Sequence, residues 1–262
     1  MKKRRALFFD VDGTLMGYGG YVPESAKAAI RQVREQGDLV FINSGRIFQL
    51  ARYIERHIET DGLLCGCGTD LYLGEQNLYR YIVPADVLRG IEEGCRRVKA
   101  DLVLEGMEGV AVAPWARIRE TLKVIDFIKA QDALWPGDFY DEDYKVNKFC
   151  VQYDEETDTE ALRAIAGRHF DVIDRGHGFY ECVPLGHGKA FAVRKIMELC
   201  DIDLEDVYVF GDSTNDLDML KLAKHAIVMG KHDRELEPYA EYITTDLEED
   251  GIANALRHYG LI

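Results

Sequence analysis

The stretch "ALFFDVDGTL", residues 6–15, decides how the chain is read. Four apolar residues run into Asp10, and Asp12 follows before Gly13, Thr14 and Leu15. A nearly continuous apolar run is what a parallel strand covered on both faces requires. Residues two apart on a strand point to the same side. Asp10 and Asp12 can therefore address one site beyond the strand's carboxyl end, where open α/β sheets bind ligands. A plain strand-end turn is the bland reading, because Asp and Gly are turn residues. The chemical reading is a carboxylate nucleophile for phosphoryl transfer, a role aspartate performs in phosphorylated ATPases.

The neighbouring pattern supports a parallel α/β sheet. "PESAKAAIRQVREQG" places Ala26, Ala29, Ile30 and Val33 on one helical face, with Pro23 near its start and Gly37 just past its end. "LVFINSGR" reads as a second strand, and "IFQLARYIERHI" as a second helix burying Ile47, Leu50, Ala51 and Ile54. This β-α-β-α rhythm returns late, in "KAFAVRKIMELC", "VYVFGD", "NDLDMLKLA", "HAIVMG", "EYITTD" and "GIANALRHYG". The middle differs: "LVLEG" and "GVAVA" form a hairpin pattern, followed by a long helix, a strand, a helix across Thr159–His169, and the pair "DVIDR"/"GFYECV". The expectation is a Rossmann-like parallel-sheet core, residues 1–83 and 183–262, with an inserted α+β domain over 84–182. Pro84 and Pro184 stand at the presumed junctions.

Composition bounds the function. At ~150 residues per domain, 262 residues suit one large domain with an insert. The formal charge of −15 argues against nucleic acid and anionic membranes as partners, although it leaves room for one local anion site. "MKKRR" imitates the start of a signal peptide, but its apolar stretch is cut at Asp10. No run reaches the ~18 apolar residues of a membrane span. Six cysteines are too sparse for a disulfide scaffold, and Cys65-Gly66-Cys67 has no companion pair at zinc spacing. Reduced thiols in a cytoplasm are the expectation. The sequence carries no signal for oligomeric state.

Three further segments carry chemistry. In "FINSGR", Ser44 and Gly45 follow a strand; Ser44 is either a helix cap or an oxyanion contact at a helix start. In "GHGKAFAV", Lys189 lies in the opening turn of a helix, where the dipole disfavours a cation. A lysine held out in solvent is one reading; a bound phosphate facing both lysine and helix start is the other. In "VYVFGDSTNDLDML", a capping-box variant accounts for Ser213 and Asp216, but not for Asp212 at a strand end. A third carboxylate at the same sheet edge points to a hard divalent cation such as Mg²⁺, which takes oxygen ligands beside a phosphate.

In this order, "DVDGTL", "SGR", the lysine and "GDSTND" resemble the haloacid dehalogenase-like hydrolase superfamily, and the insert resembles its type II cap, as in the Cof-like phosphatase branch. The resemblance implies that Asp10 attacks phosphorus and that Asp12 protonates the leaving oxygen, then activates water. It implies Mg²⁺ held by Asp10, the Asp12 carbonyl and Asp212, supported by Asp216. It assigns Val11, Ser44, Gly45, Lys189 and Asn215 to the phosphoryl group, with Thr14 and Arg46 supporting. The implied substrate is a small phosphorylated metabolite, a sugar phosphate or a cofactor phosphate. Arg175, His177, Tyr180 and Glu181, on the last strands of the insert, are its candidate specificity residues, although "RGHG" also reads as an exposed hairpin turn. The chain departs from the branch twice, with "CGCGTDLYL" where Asn-Gly-Ala is common and Lys231-His232 where Asn-Ala usually follows Gly230. A phosphosugar mutase and a non-catalytic phosphate-binding module are the alternatives.

Overall fold

The structure is a computed structural model that describes residues 4–17 and 19–262; Met1-Lys2-Lys3, where the signal-peptide reading begins, lie outside the described residues. In chain order the first elements are β1 (Ala6–Phe9), α1 (Glu24–Glu35), β2 (Leu39–Asn43), α2 (Phe48–Ala51), β3 (Gly62–Cys65), β4 (Asp70–Leu73) and β5 (Gln76–Arg80). Then come α3 (Ala85–Arg97), β6 (Asp101–Gly106), β7 (Gly109–Val112), α4 (Arg119–Ala130), β8 (Val146–Gln152), α5 (Thr159–Ala166), β9 (Phe170–Asp174) and β10 (Phe179–Pro184). The chain closes with α6 (Lys189–Cys200), β11 (Val207–Gly211), α7 (Leu217–Leu222), β12 (His225–Val228), β13 (Tyr242–Ile243) and α8 (Gly251–His258).

Two compact units divide these elements. One comprises Met1–Arg46, Ala51–Leu78 and Gly188–Ile262; the other comprises Ile47–Leu50 and Tyr79–His187. The breaks fall a few residues outside Pro84 and Pro184, because Pro84 sits at the start of α3 and Pro184 ends β10.

The first unit contains the expected parallel core. Its sheet runs β13-β12-β11-β1-β2-β3-β4-β5, with β1 paired in parallel to both β2 and β11. The order reverses direction at β1, so the crevice at the carboxyl ends of β1 and β11 is a topological switch point. β1 is buried throughout, as its apolar run requires. On α1 the buried residues are Ala26, Ala29, Ile30 and Val33, the four placed on one face by periodicity.

The expected second helix is cut short. Only Phe48–Ala51 is α-helical, and Arg52–Arg56 continues as a 3₁₀ turn. "EYITTD" likewise keeps only two strand residues, at the sheet edge.

The second unit is α+β. Its sheet, β7-β6-β8-β10-β9, is antiparallel at every pairing. One face packs Leu102, Leu104, Phe149, Val151, Tyr180 and Cys182 with Ile91 and Cys95 of α3 and Leu162 of α5. The other carries Val103, Val110 and Cys150 with Ile128 of α4 and Ile47.

Helix α3 falls where the sequence reading assigns no element; Gly90 and Gly94 lower its propensity, but its buried Ile91, Gly94 and Cys95 lie on one face. Gly94 has a packing reason: a Cβ there would collide with Ile165, beyond the middle of α5.

Candidate active site

At the switch point the backbone leaves β1 and turns at once. Asp10 N–H still donates to Phe210 O (3.0 Å), the last rung of the ladder to β11. Beyond it, the N–H groups of Leu15 and Met16 donate to Val11 O, and Gly13 takes φ +88°. The strand therefore ends before Asp12, and the two-residue alternation does not govern it. Asp10 is buried, whereas the Asp12 side chain is 60% exposed and held by Arg46, with Nε to Oδ2 at 2.8 Å and Nη2 to Oδ1 at 2.5 Å. The expectation of two carboxylates side by side on one strand face is corrected to one buried acid and one Arg-held acid at the rim.

Lys189 opens α6 and is fully buried. Its Nζ lies 2.5 Å from Asp10 Oδ1 and 2.5 Å from Asp216 Oδ1, which excludes the solvent-held reading. Burial opposes its charge, but Asp10 and Asp216 outweigh that and hold its pKa above the ordinary lysine range. Carboxylate ligand atoms of Asp10, Asp212 and Asp216 lie within 4.8 Å of one another. Burial drives the Asp10 carboxyl well above its usual range; Lys189 opposes this, while Asp216 and Asp212 add to it. Burial also pushes Asp212 up to about 7, and Asp216 reinforces the shift against Thr14 and Lys189. Three carboxylates face one ammonium here, an excess of two negative charges when all are ionised.

The donor set is all oxygen, which suits a hard cation. Asp216 is already committed: Oδ1 meets Lys189, and Oδ2 accepts from Asp212 N–H (3.0 Å) and Ser213 N–H (3.1 Å). Asp10 uses Oδ1 toward Lys189, and Asp212 uses Oδ1 to accept the Thr14 hydroxyl at 2.7 Å. The remaining oxygens of Asp10 and Asp212 are thus the ones suited to a metal.

Other expected residues take definite places. Ser44 is buried; its N–H donates to Leu64 O, and its Oγ accepts Arg46 N–H at 3.1 Å. Because α2 begins at Phe48, Ser44 is not its cap. Asn215 Oδ1 accepts the Ser213 hydroxyl at 2.8 Å. Val11 is buried and offers its carbonyl to the turn, while Gly45 is half-buried.

The four residues of the second unit do not form one group. Tyr180 and Glu181 alternate on β10, so they project to opposite faces. Tyr180 is buried in the helix-covered core and its hydroxyl accepts from Arg163 Nε (2.9 Å). Glu181 pairs with buried Lys148 at 2.8 Å, with Arg175 Nε at 4.0 Å. His177 sits exposed in the turn at φ +53°.

Sequence reasoning passed over Asn43 and Asp218. Asn43 Nδ2 donates to Lys189 O (3.0 Å), and Asp218 Oδ2 accepts Ala190 N–H (2.9 Å). Asp218 thus supplies an acceptor at this helix start, beside the Asp10 and Asp216 carboxylates that meet the Lys189 ammonium. Asp218 stands in the quoted motif; its only local signal was being an acid beside a helix start.

Comparison with known proteins agrees with this architecture. A family model described as haloacid dehalogenase-like hydrolase matches residues 7–256. The protein YkrA of Bacillus subtilis (strain 168) is 28% identical over 262 residues, covering 98% of each chain. A phosphoglycolate phosphatase of Archaeoglobus fulgidus is 26% identical, covering 100% of both. Among solved structures, the subclass IIB sugar phosphatase BT4131 superposes with a TM-score of 0.83 at 25% identity, over 98% of this chain and 100% of its own. With the model spanning nearly its whole length and the four motifs gathered at one sheet edge, the chain belongs to the haloacid dehalogenase-like hydrolases and sits among their phosphatases.

Proposed function

We infer that the protein is a Mg²⁺-dependent phosphatase of a small phosphorylated metabolite, working through an aspartyl-phosphate. The observation that carries this reading is Lys189, buried between Asp10 and Asp216 with Asp212 in the same cluster. A buried ammonium fixed against the nucleophile is a preorganised partner for charge on transferring phosphoryl oxygens. Related phosphatases named for phosphoglycolate and for sugars support a small phosphomonoester as substrate.

In this mechanism an Asp10 oxygen attacks phosphorus, forming an acyl-phosphate P–O bond as the ester P–O bond breaks. Asp12 gives its proton to the leaving oxygen. Asp12 then takes a proton from water as that water attacks phosphorus, releasing phosphate and restoring Asp10. Arg46 orients Asp12, and Ser44 with the Gly45 backbone contacts the phosphoryl oxygens. Asp10, Asp212 and the Asp12 carbonyl would hold Mg²⁺, which supplies neutralisation of the local carboxylate excess and of the phosphate.

The test is phosphate release from a panel of phosphorylated metabolites. Asp10→Asn is expected to lose at least ~10³-fold in kcat with unchanged far-UV circular dichroism. Excess chelator is expected to stop turnover, and added Mg²⁺ to restore it. Sustained hydrolysis by Asp10→Asn would overturn the assignment; isomerisation without phosphate release would indicate a mutase.

A further inference from the structure

Helix α6 begins under unusual demands. Its N-cap position is Gly188, which has no side chain to satisfy the first N–H groups, and its first residue is a buried lysine. Side chains from outside the helix hold this turn, one of them accepting a first-turn N–H and one donating to a first-turn carbonyl. Asp218, near the start of α7, accepts Ala190 N–H at 2.9 Å through Oδ2, while its Oδ1 accepts Met219 N–H at 2.8 Å. Asn43, the last residue of β2, is fully buried and donates from Nδ2 to Lys189 O at 3.0 Å.

The peptide ahead of Lys189 is also confined. A Cβ on Gly188 would collide with the Asp218 carboxylate. A Cβ on Gly68, at φ +82°, would collide with the Gly188 carbonyl oxygen. The Gly68 turn also serves Ser44: Cys67 N–H donates to Ser44 O (3.0 Å) and Gly66 N–H to Arg46 O (2.8 Å). That gives the Cys65-Gly66-Cys67 segment a structural task beside the site.

Resting on the phosphatase reading, we propose that Asn43, Gly68 and Asp218 form a collar on the first turn of α6 and act as positioning residues for Lys189. None of the three touches Lys189 Nζ. Each fixes the backbone from which the ammonium reaches Asp10. The effect belongs chiefly to kcat, because charge on the transferring oxygens shifts in the transition state and rewards an ammonium already in place. Substrate binding is shared with the other phosphoryl and metal contacts, so KM moves little.

Asp218 is exposed, so its variants keep the core intact. With Mg²⁺ and p-nitrophenyl phosphate, or an ester from the metabolite panel, Asp218→Ala is expected to lower kcat roughly ten-fold or more. KM should stay within about two-fold and the melting temperature within a few degrees, a split uniform binding loss would not give. Asp218→Asn keeps an oxygen for Ala190 N–H and is expected to restore kcat to within about two-fold of wild type. Asn43→Ala should lower kcat as well, and the double variant should fall short of the product of the two losses, because both act on one turn. Wild-type kcat in Asp218→Ala, or equal losses in Asp218→Ala and Asp218→Asn, overturns the collar while leaving the phosphatase reading intact. A wild-type protein that releases no phosphate from any ester removes both.

Discussion

Asp212 ties the site to pH. Burial is the first cause of its raised carboxyl, about 7 against an ordinary 3.8, so the folded state holds a proton that the unfolded chain releases. Below the ordinary value both states are protonated and nothing is lost. As pH climbs through the window from 3.8 to about 7, unfolding releases a proton and folded stability falls. At roughly 1.4 kcal/mol per pH unit, the contribution is at most about 4 kcal/mol. The metal-free protein is therefore expected to melt at lower temperature near pH 7 than near pH 5, and Asp212→Asn to flatten part of that slope. A slope identical in the variant would remove Asp212 from the account. Single residues were legible in the sequence where chemistry and punctuation coincide: Asp10, Asp212 and Lys189 stand at strand ends or a helix start. Asn43 was not, because it works through the carbonyl of a residue 146 positions away.

The turn after β1 decides which acid does what, and here local pattern misled. The nearly continuous apolar run "ALFFDV" reads as a strand that carries on toward Asp12, yet Gly13 at φ +88° bends the chain and Asp12 pairs with Arg46. The glycine is also spatially required: a Cβ on Gly13 would collide with the Asp212 carboxylate. Gly13→Ala is thus expected to displace Asp212 from Asp10. It should raise the Mg²⁺ concentration for half-maximal activity at least ten-fold, as misplacement near a reacting centre costs orders of magnitude. An unchanged Mg²⁺ titration would show that the turn tolerates the methyl group. The helices follow the same lesson. Helix α1 was legible in every buried position because its periodicity is local. Helix α2 was not, because Ile47 and Leu50 pack with Val103, Val110 and Cys150 of the second unit, a demand no local period announces.

Across the whole chain, two sheets solve burial in different ways. The first unit is legible where strand and helix alternate, because a parallel sheet covered on both faces writes continuous apolar runs, whereas its antiparallel β3–β4 pair and β5 follow with no helix between them and announce no such rhythm. The second writes a weaker code and hides a charge. Lys148 is buried on β8, with its Nζ 2.6 Å from Glu105 Oε2 and 2.8 Å from Glu181 Oε1. Removing one partner of a buried ion pair strands the others without compensation, typically costing about 3–5 kcal/mol. Lys148→Met keeps a side chain of similar length but leaves Glu105 and Glu181 without the ammonium, with Arg175 Nε 4.0 Å from Glu181 Oε2. Because each unit has its own core, the loss should be confined: hydrogen exchange is expected to quicken in β6, β8 and β10 while β1 and β11 keep their protection. Equal loss of protection in both sheets would mean that the units unfold as one. Restoring slow exchange with Glu105→Gln and Glu181→Gln in the Lys148→Met background would trace the penalty to the two stranded carboxylates rather than to lost packing.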